Sequence, residues 1–279
     1  MSALSTVLTL LMHASVGLVF FVPNTWELAL LCVASYVLRM WAITAGYHRY
    51  FAHRAFKTSR AFQFVLGLLG TMSMQNGPLW WASWHRRHHR YSDTAQDAHS
   101  PVRSGFWHAH IGWFLNGSHD RPNLANVRDL ARYPELRFLD RHKWLPLVAY
   151  AGGTFAIAGF PGVVWGFLVS TIACLQATMC INSLAHVWGS RRFETKDASR
   201  NNLVLAFFTL GEGWHNNHHH DMNAARQGLA WWEIDVTYYS LWALEKVGVI
   251  WDLRAPRATG RGRARGPTRD ATEREERAI

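Results

Sequence analysis

The sequence predicts an all-α, polytopic membrane protein in which four spanning helices carry a cytosolic helical cap around a histidine-rich site. Three observations predict it. Apolar runs form two hairpins, residues 4–22 with 26–47 and 144–160 with 163–187. Histidines gather in three clusters: His48 with His53, His85 with His88 and His89, and His215 with His218 and His219. Lys and Arg crowd the cluster-bearing segments and are missing from both hairpin turns.

Each apolar run approaches the length of helix that crosses a hydrocarbon core of roughly 30 Å. Before His48 the only basic residue is Arg39, although the chain carries a formal net charge of +10. The turns at 23–25 and 159–162 therefore face outward, and the histidines and both termini face the cytoplasm. The apolar stretch 61–82 is read as an interfacial helix, because a crossing there would put His48 and His85 on opposite sides. Residues 1–253 then form one integral-membrane domain. The stretch 254–279 is rich in Arg and Gly and has no apolar period, so it is read as a disordered basic tail. Lipid head groups explain its charge better than a nucleic acid, and no nucleic-acid partner is expected. The first run lacks the basic flank of a removable signal peptide. Cys32, Cys174 and Cys180 all lie in apolar runs and imply no disulfide framework.

The clusters carry the chemistry. His85, His88 and His89 stand at i, i+3 and i+4, which places them on one helical face, and His215, His218 and His219 repeat that spacing. Asn182 and His186, also i, i+4, close the last apolar run. His48 and His53 are five apart and would not share a face of a regular helix, so the helix is expected to end between them. Neutral imidazole is the commonest metal-binding side chain. Nine of them exceed what one four-coordinate zinc uses, whereas two metals would account for all nine. The carboxylate-bridged di-iron design needs two Glu-x-x-His units, and only Glu212 to His215 has that spacing. A nitrogen-rich site for two Fe2+ ions at a membrane surface points to dioxygen chemistry on a lipid.

The segments I-T-A-G-Y-H-R-Y-F-A-H, H-R-R-H-H-R-Y-S-D, G-F-W-H-A-H-I-G-W, N-S-L-A-H and G-E-G-W-H-N-N-H-H resemble the membrane-bound fatty acyl desaturases of the stearoyl-CoA desaturase type. The similarity runs from about Ile43 to Arg254. The resemblance implies that the nine histidines ligate two irons, with Asn182 reaching one through water. It implies a cis double bond, at C9 by default, placed in a saturated acyl chain with reduction of O2 to water. The electrons would come from an external cytochrome b5, ferredoxin or rubredoxin with its reductase, docked on the basic face. Gln75, Trp81 and Thr178 match positions that line the bend of a substrate tunnel. Tyr36, Met40 and Thr44 lie below His48 along the second run, where they would limit how deep the chain end reaches.

The head-group end departs from the animal acyl-CoA enzymes. Ser83 stands for Arg, Trp84 for Asp and Gly117-Ser118 for Arg-Lys, while Asn76 is retained. Gln75 to Pro78 resembles bacterial, cyanobacterial and plant members, some of which act on chains esterified in lipids. Acyl-CoA and acyl-lipid both stand as substrates, and a bacterial inner membrane is the expected location. Arg86, Arg87, Arg90 and Arg103 are read as a solvated basic face. Asp97, His99, His110, Glu212 and Asn216 are expected to orient ligands, whereas His13, His108, His119, His142 and His220 are read as structural or exposed. A membrane di-iron hydroxylase is the competing enzyme reading. A metal transporter is the competing non-enzyme reading, disfavoured because only Arg39 lies charged inside a run.

Overall fold

The computed structural model describes residues 3–116 and 119–257. Most of the tail, and the Gly117-Ser118 departure, lie outside the described residues. The described residues are mostly helical; besides single bridges from Asn201 to Ser190 and Trp214, their strand pairing is a two-residue antiparallel pair, Lys57 with Trp251 and Thr58 with Ile250. That pair ties the end of the chain to the loop after His53.

Two described helical stretches are long and apolar enough to cross a membrane, Trp26–Ala52 and Trp144–His186, and Thr6–Phe21 is a shorter apolar helix. Thr25 caps the first of the long ones, its hydroxyl accepting from Leu28 N. The second covers both apolar runs expected at 144–187, yet it is not one rod. Ala158 and Gly159 leave helical geometry, Gly159 with φ +61°, a conformation glycine adopts without a Cβ clash. Beyond them the chain folds back on itself. The Tyr150 and Phe167 rings come within 6.4 Å, and a Cβ on Gly162 would lie 2.3 Å from the Thr154 carbonyl oxygen. The hairpin break thus comes just before the Pro161-Gly162 signal. Gly162→Ala should lower stability by about 1–3 kcal/mol, because backbone rather than a mobile side chain must give way. A thermal melt in detergent against Gly152→Ala, where a Cβ meets nothing within 4 Å, checks this.

Arg39 joins the two long stretches. It is fully buried. It donates to Ser35 O at 3.1 Å and to the hydroxyls of Ser170 and Thr171, and it lies 4.6 Å from the Tyr150 ring. A buried guanidinium is tolerated because its donors are met by oxygens and its plane by an aromatic face.

Two expectations about helix ends change. The stretch 61–82 is divided into Arg60–Thr71 and Pro78–Tyr91. Met74 and Asn76 adopt positive φ between them, and Pro78 takes the first turn of the new helix, where no N–H is needed. The helix before His53 does not stop after His48. It widens into a π-helix, Ala42–Ala52, and His53 N donates to His48 O at 3.1 Å. An i→i+5 bond brings residue i+5 back toward the face of residue i, so the two rings meet at 4.7 Å.

The polar segments 97–113 and 120–142 carry short helices, among them Pro101–Ser104, Leu124–Val127 and Pro134–Arg141. The main core lies beneath them. Tyr47, Phe51, Leu66, Leu79, Leu136 and Leu139 pack around helix Pro78–Tyr91, which carries the central histidines.

Candidate metal centre

Four elements deliver the nine histidines. The π-turn supplies His48 and His53, and helix Pro78–Tyr91 supplies His85, His88 and His89. The helical end Leu184–His186 supplies His186, and helix His215–His220 supplies His215, His218 and His219. They form two adjoining groups, His48, His53, His85, His89 and His218 in one and His88, His186, His215 and His219 in the other. Within each group the ring nitrogens lie within 4.8 Å of one another. Each H-x-x-H-H motif therefore straddles both groups instead of serving one.

In the group of five, His85 Nε2 lies 2.8 Å from His53 Nε2 and 3.0 Å from His89 Nε2. His218 Nε2 lies 3.0 Å from both His48 Nε2 and His89 Nε2. In the group of four, His186 Nε2 and His215 Nε2 are 3.1 Å apart. One ring nitrogen offers a single proton or a single lone pair, so it cannot hydrogen-bond to two such neighbours at once. Two nitrogens each about 2.1 Å from one ion, at a right angle, would be about 3 Å apart. The spacing is that of a coordination shell. His219 Nε2 is buried with no hydrogen-bond partner, a cost a metal ligand would not bear. Burial, reinforced by neighbouring rings, pushes His53, His85, His89, His215 and His218 well below the ordinary imidazole range. Neutral rings are the ones that bind metal. The donor set thus fits two transition-metal ions.

Carboxylates fix several of these rings from behind. His88 Nδ1 lies 3.0 Å from Asp97, His186 Nδ1 3.0 Å from Asp93, and His219 Nδ1 2.6 Å from Asp197. His48 Nδ1 pairs with Glu212, which is itself held by Arg49 Nε at 3.2 Å. Holding Nδ1 sets the tautomer and turns Nε2 inward. Burial raises all three aspartates, but their imidazole partners outweigh it. Asp93 falls to about 2, and Asp97 and Asp197 stay ionised below the usual carboxylate range.

Of the residues expected to orient ligands, Asp97 pairs with His88 and Glu212 with His48. The His99 ring lies against His88 at a tilt of 31°, with centroids 4.4 Å apart. His110 instead bonds Ser183 and Gln176, away from the cage. Asn216 accepts from the backbone of Arg192 and Phe193, anchoring that loop rather than a ring. Asp93 and Asp197 were not anticipated. Asp93 ends the H-R-R-H-H-R-Y-S-D string and is within reach of motif reading, whereas Asp197 sits in the loop after His186, outside any of the quoted motifs. Asp197→Asn should lower metal affinity by about 10–100-fold, measurable by chelator competition.

Two narrow apolar cavities run past the cage and share Trp81, His85, Thr178 and Asn182. Gln75 lines one and Met40 the other. Gln75 donates to Thr178 Oγ1 at 3.0 Å and accepts from Trp81 Nε1 at 3.2 Å, fixing the junction. Asn182 lies there beside His85 and His215, its amide donating to Met179 Sδ at 3.6 Å. Two residues expected along the substrate path are elsewhere. Tyr36 is drawn off by its hydroxyl bond to Phe208 O at 2.7 Å and lines a separate cleft. Asn76, at a positive-φ turn, faces another.

Fold and site together define a helical protein with two adjoining imidazole cages, each able to hold a metal ion, beside an apolar cavity. A sequence model of fatty acid desaturases matches residues 24–254, and the chain belongs to that family. Its relatives include an acyl-CoA C20 Delta5-desaturase of Anemone leveillei, 37% identical over 86% of this chain and 78% of the relative. A hex-5-enoyl-[acyl-carrier protein] acetylenase of Moorena producens is 38% identical over 88% and 82%. A delta-9 acyl-lipid desaturase of Arabidopsis thaliana is 36% identical over 86% and 78%. The chain is accordingly an oxidoreductase that desaturates fatty acyl chains.

Proposed function

We propose that the two histidine groups hold two Fe2+ ions, with Asn182 completing the group of four, and that the chain places a cis double bond at C9 of a saturated acyl chain carried on CoA or on membrane lipid. The observation that carries this reading is the split of nine imidazoles into two tight nitrogen groups beside an apolar passage. Iron held there would supply the O2-dependent removal of hydrogen, the step that side chains cannot perform.

The protein's own part is geometric. Met40, Ile43, Thr44 and Ile181 line the deep cavity and give a flexible chain an apolar bed. The Gln75–Thr178 and Gln75–Trp81 bonds hold the walls where the passage turns, so one C–C bond is kept beside His85. Fixing that bond and excluding water is where the rate is gained. Carboxylates behind His48, His88, His186 and His219 keep the cage from collapsing.

The hairpin break at Ala158–Gly159 and the apolar helix Thr6–Phe21 support four crossings, with the cap on the cytosolic side of a bacterial inner membrane. O2 and two electrons come from outside the chain, the electrons from an acidic donor such as cytochrome b5, ferredoxin or rubredoxin with its reductase, docked on the basic face.

Expression in a desaturase-deficient host with fatty acid analysis tests the reading. Wild type should restore monounsaturated chains with a C9 double bond, and His215→Ala should not. Met40 is 1% exposed at the cavity wall. Met40→Trp should shift the product toward shorter chains by filling the deep end, read from the same chromatograms.

A further inference from the structure

A third cavity adjoins the passage. It lies between helix Ala3–Ser15 and the start of helix Trp144–Gly162. Its walls are Leu8, Leu11, Met12, Leu147, Val148 and Phe167, and its polar end holds Asn76 and Lys143, whose ammonium donates to Asn76 Oδ1. Counting space open to the surroundings, it spans about 1300 Å³, against about 390 and 400 Å³ for the two parts of the passage under the cage. One side chain, Phe114, lines both this cleft and the passage, and the consecutive residues Gln75 and Asn76 face one each.

On the side of helix Pro78–Tyr91 the passage is walled by aromatic rings. Trp80, Trp84 and Trp113 line it there. Trp80 stacks on Trp113 with centroids 5.9 Å apart, and Trp84 meets His119 at 4.6 Å. No Lys or Arg lines either part of the passage among the described residues, so nothing there would meet the several phosphates of a soluble nucleotide carrier. The cleft instead offers one cation beside Trp144, the pairing that marks a membrane–water interface. Two carboxylates stand near Lys143, Asp120 and Asp140; Asp140 accepts from the backbone N–H groups of Leu79 and Trp80.

We propose that this cleft is the lateral portal through which an acyl chain still esterified in a phosphoglyceride leaves the bilayer for the passage, with Phe114 as the partition and Lys143 at the single phosphate. The proposal rests on the desaturase reading and narrows its substrate to membrane lipid.

The test uses the full chain in phosphatidylcholine–phosphatidylglycerol vesicles doped with phosphatidylglycerol bearing a mid-chain diazirine. Photolabel should map to Met12 and Val148 above the background at Phe155 and Ile157, which are exposed on the outer face. Excess stearoyl-CoA should leave it unchanged. Val148→Trp and Leu11→Trp, both at exposed positions the fold tolerates, should cut the cleft label by about ten-fold, the scale of a steric misfit in an apolar pocket. Phe114→Trp should keep the label while lowering unsaturated lipid in the desaturase-deficient host. Label no stronger than background, or displacement by stearoyl-CoA, overturns the portal. So does full lipid unsaturation with Val148→Trp, Leu11→Trp and Phe114→Trp. Failure of wild type to restore any unsaturation overturns the desaturase reading itself.

Discussion

His89→Ala should abolish desaturation while leaving the protein folded. His89 Nε2 stands 3.0 Å from both His85 Nε2 and His218 Nε2, so its loss removes the ring that links the helix Pro78–Tyr91 donors to those of His215–His220. The remaining rings stay packed against one another. Activity should fall by at least about 100-fold, the upper end of what losing a mere orienting partner costs, and bound iron should drop toward one per chain. His220→Ala is the matched control. That ring follows the same motif but stacks on Phe193 at 3.9 Å, outside both groups, and its loss should leave metal and activity near wild type. Lipid profiling and metal analysis on the same preparations separate the outcomes.

Arg49→Met should have the largest effect on stability. Arg49 is 1% exposed. It bonds Glu212 at 3.1 Å, Asp235 at 2.9 Å and the Ala225 carbonyl at 2.7 Å. Methionine fills much of the space but leaves two buried carboxylates without their cation. Breaking a buried ionic cluster from one side costs about 3–5 kcal/mol, more than the pairing itself contributes. Arg54→Met is the contrast. Its partner is Asp129, but the arginine side chain is 56% exposed, and such pairs contribute about 0–1 kcal/mol. Thermal melts in detergent should separate the two clearly. Arg49→Met should also weaken metal retention, because Glu212 would no longer be held against His48 Nδ1.

The donor set was legible because its spacing is local. H-x-x-H-H on a helix puts rings together whatever the tertiary structure, and Asn182 with His186 follows the same rule. What was hidden depended on backbone winding or on distant loops. The π-turn that unites His48 and His53 leaves no mark in a reading tuned to a period of 3.6, which expects them on different faces. The break between Thr71 and Pro78 was announced by Asn76-Gly77-Pro78 but masked by continuous hydrophobicity. Asp197 comes near His219 only through the loop after His186, so sequence distance concealed it. Tyr36 shares a helical face with Met40, yet its hydroxyl is captured by Phe208 O, and periodicity does not see that bond.

Iron stoichiometry tests the central claim most directly. The protein should be purified anaerobically after growth with iron and assayed for every transition metal. Wild type should carry two iron ions per chain. The paired variant His53→Ala/His89→Ala should keep one, held by the other group, and His186→Ala/His219→Ala should keep the complementary one. A single zinc in wild type, or loss of all metal from either paired variant with the fold intact, would contradict two independent imidazole cages.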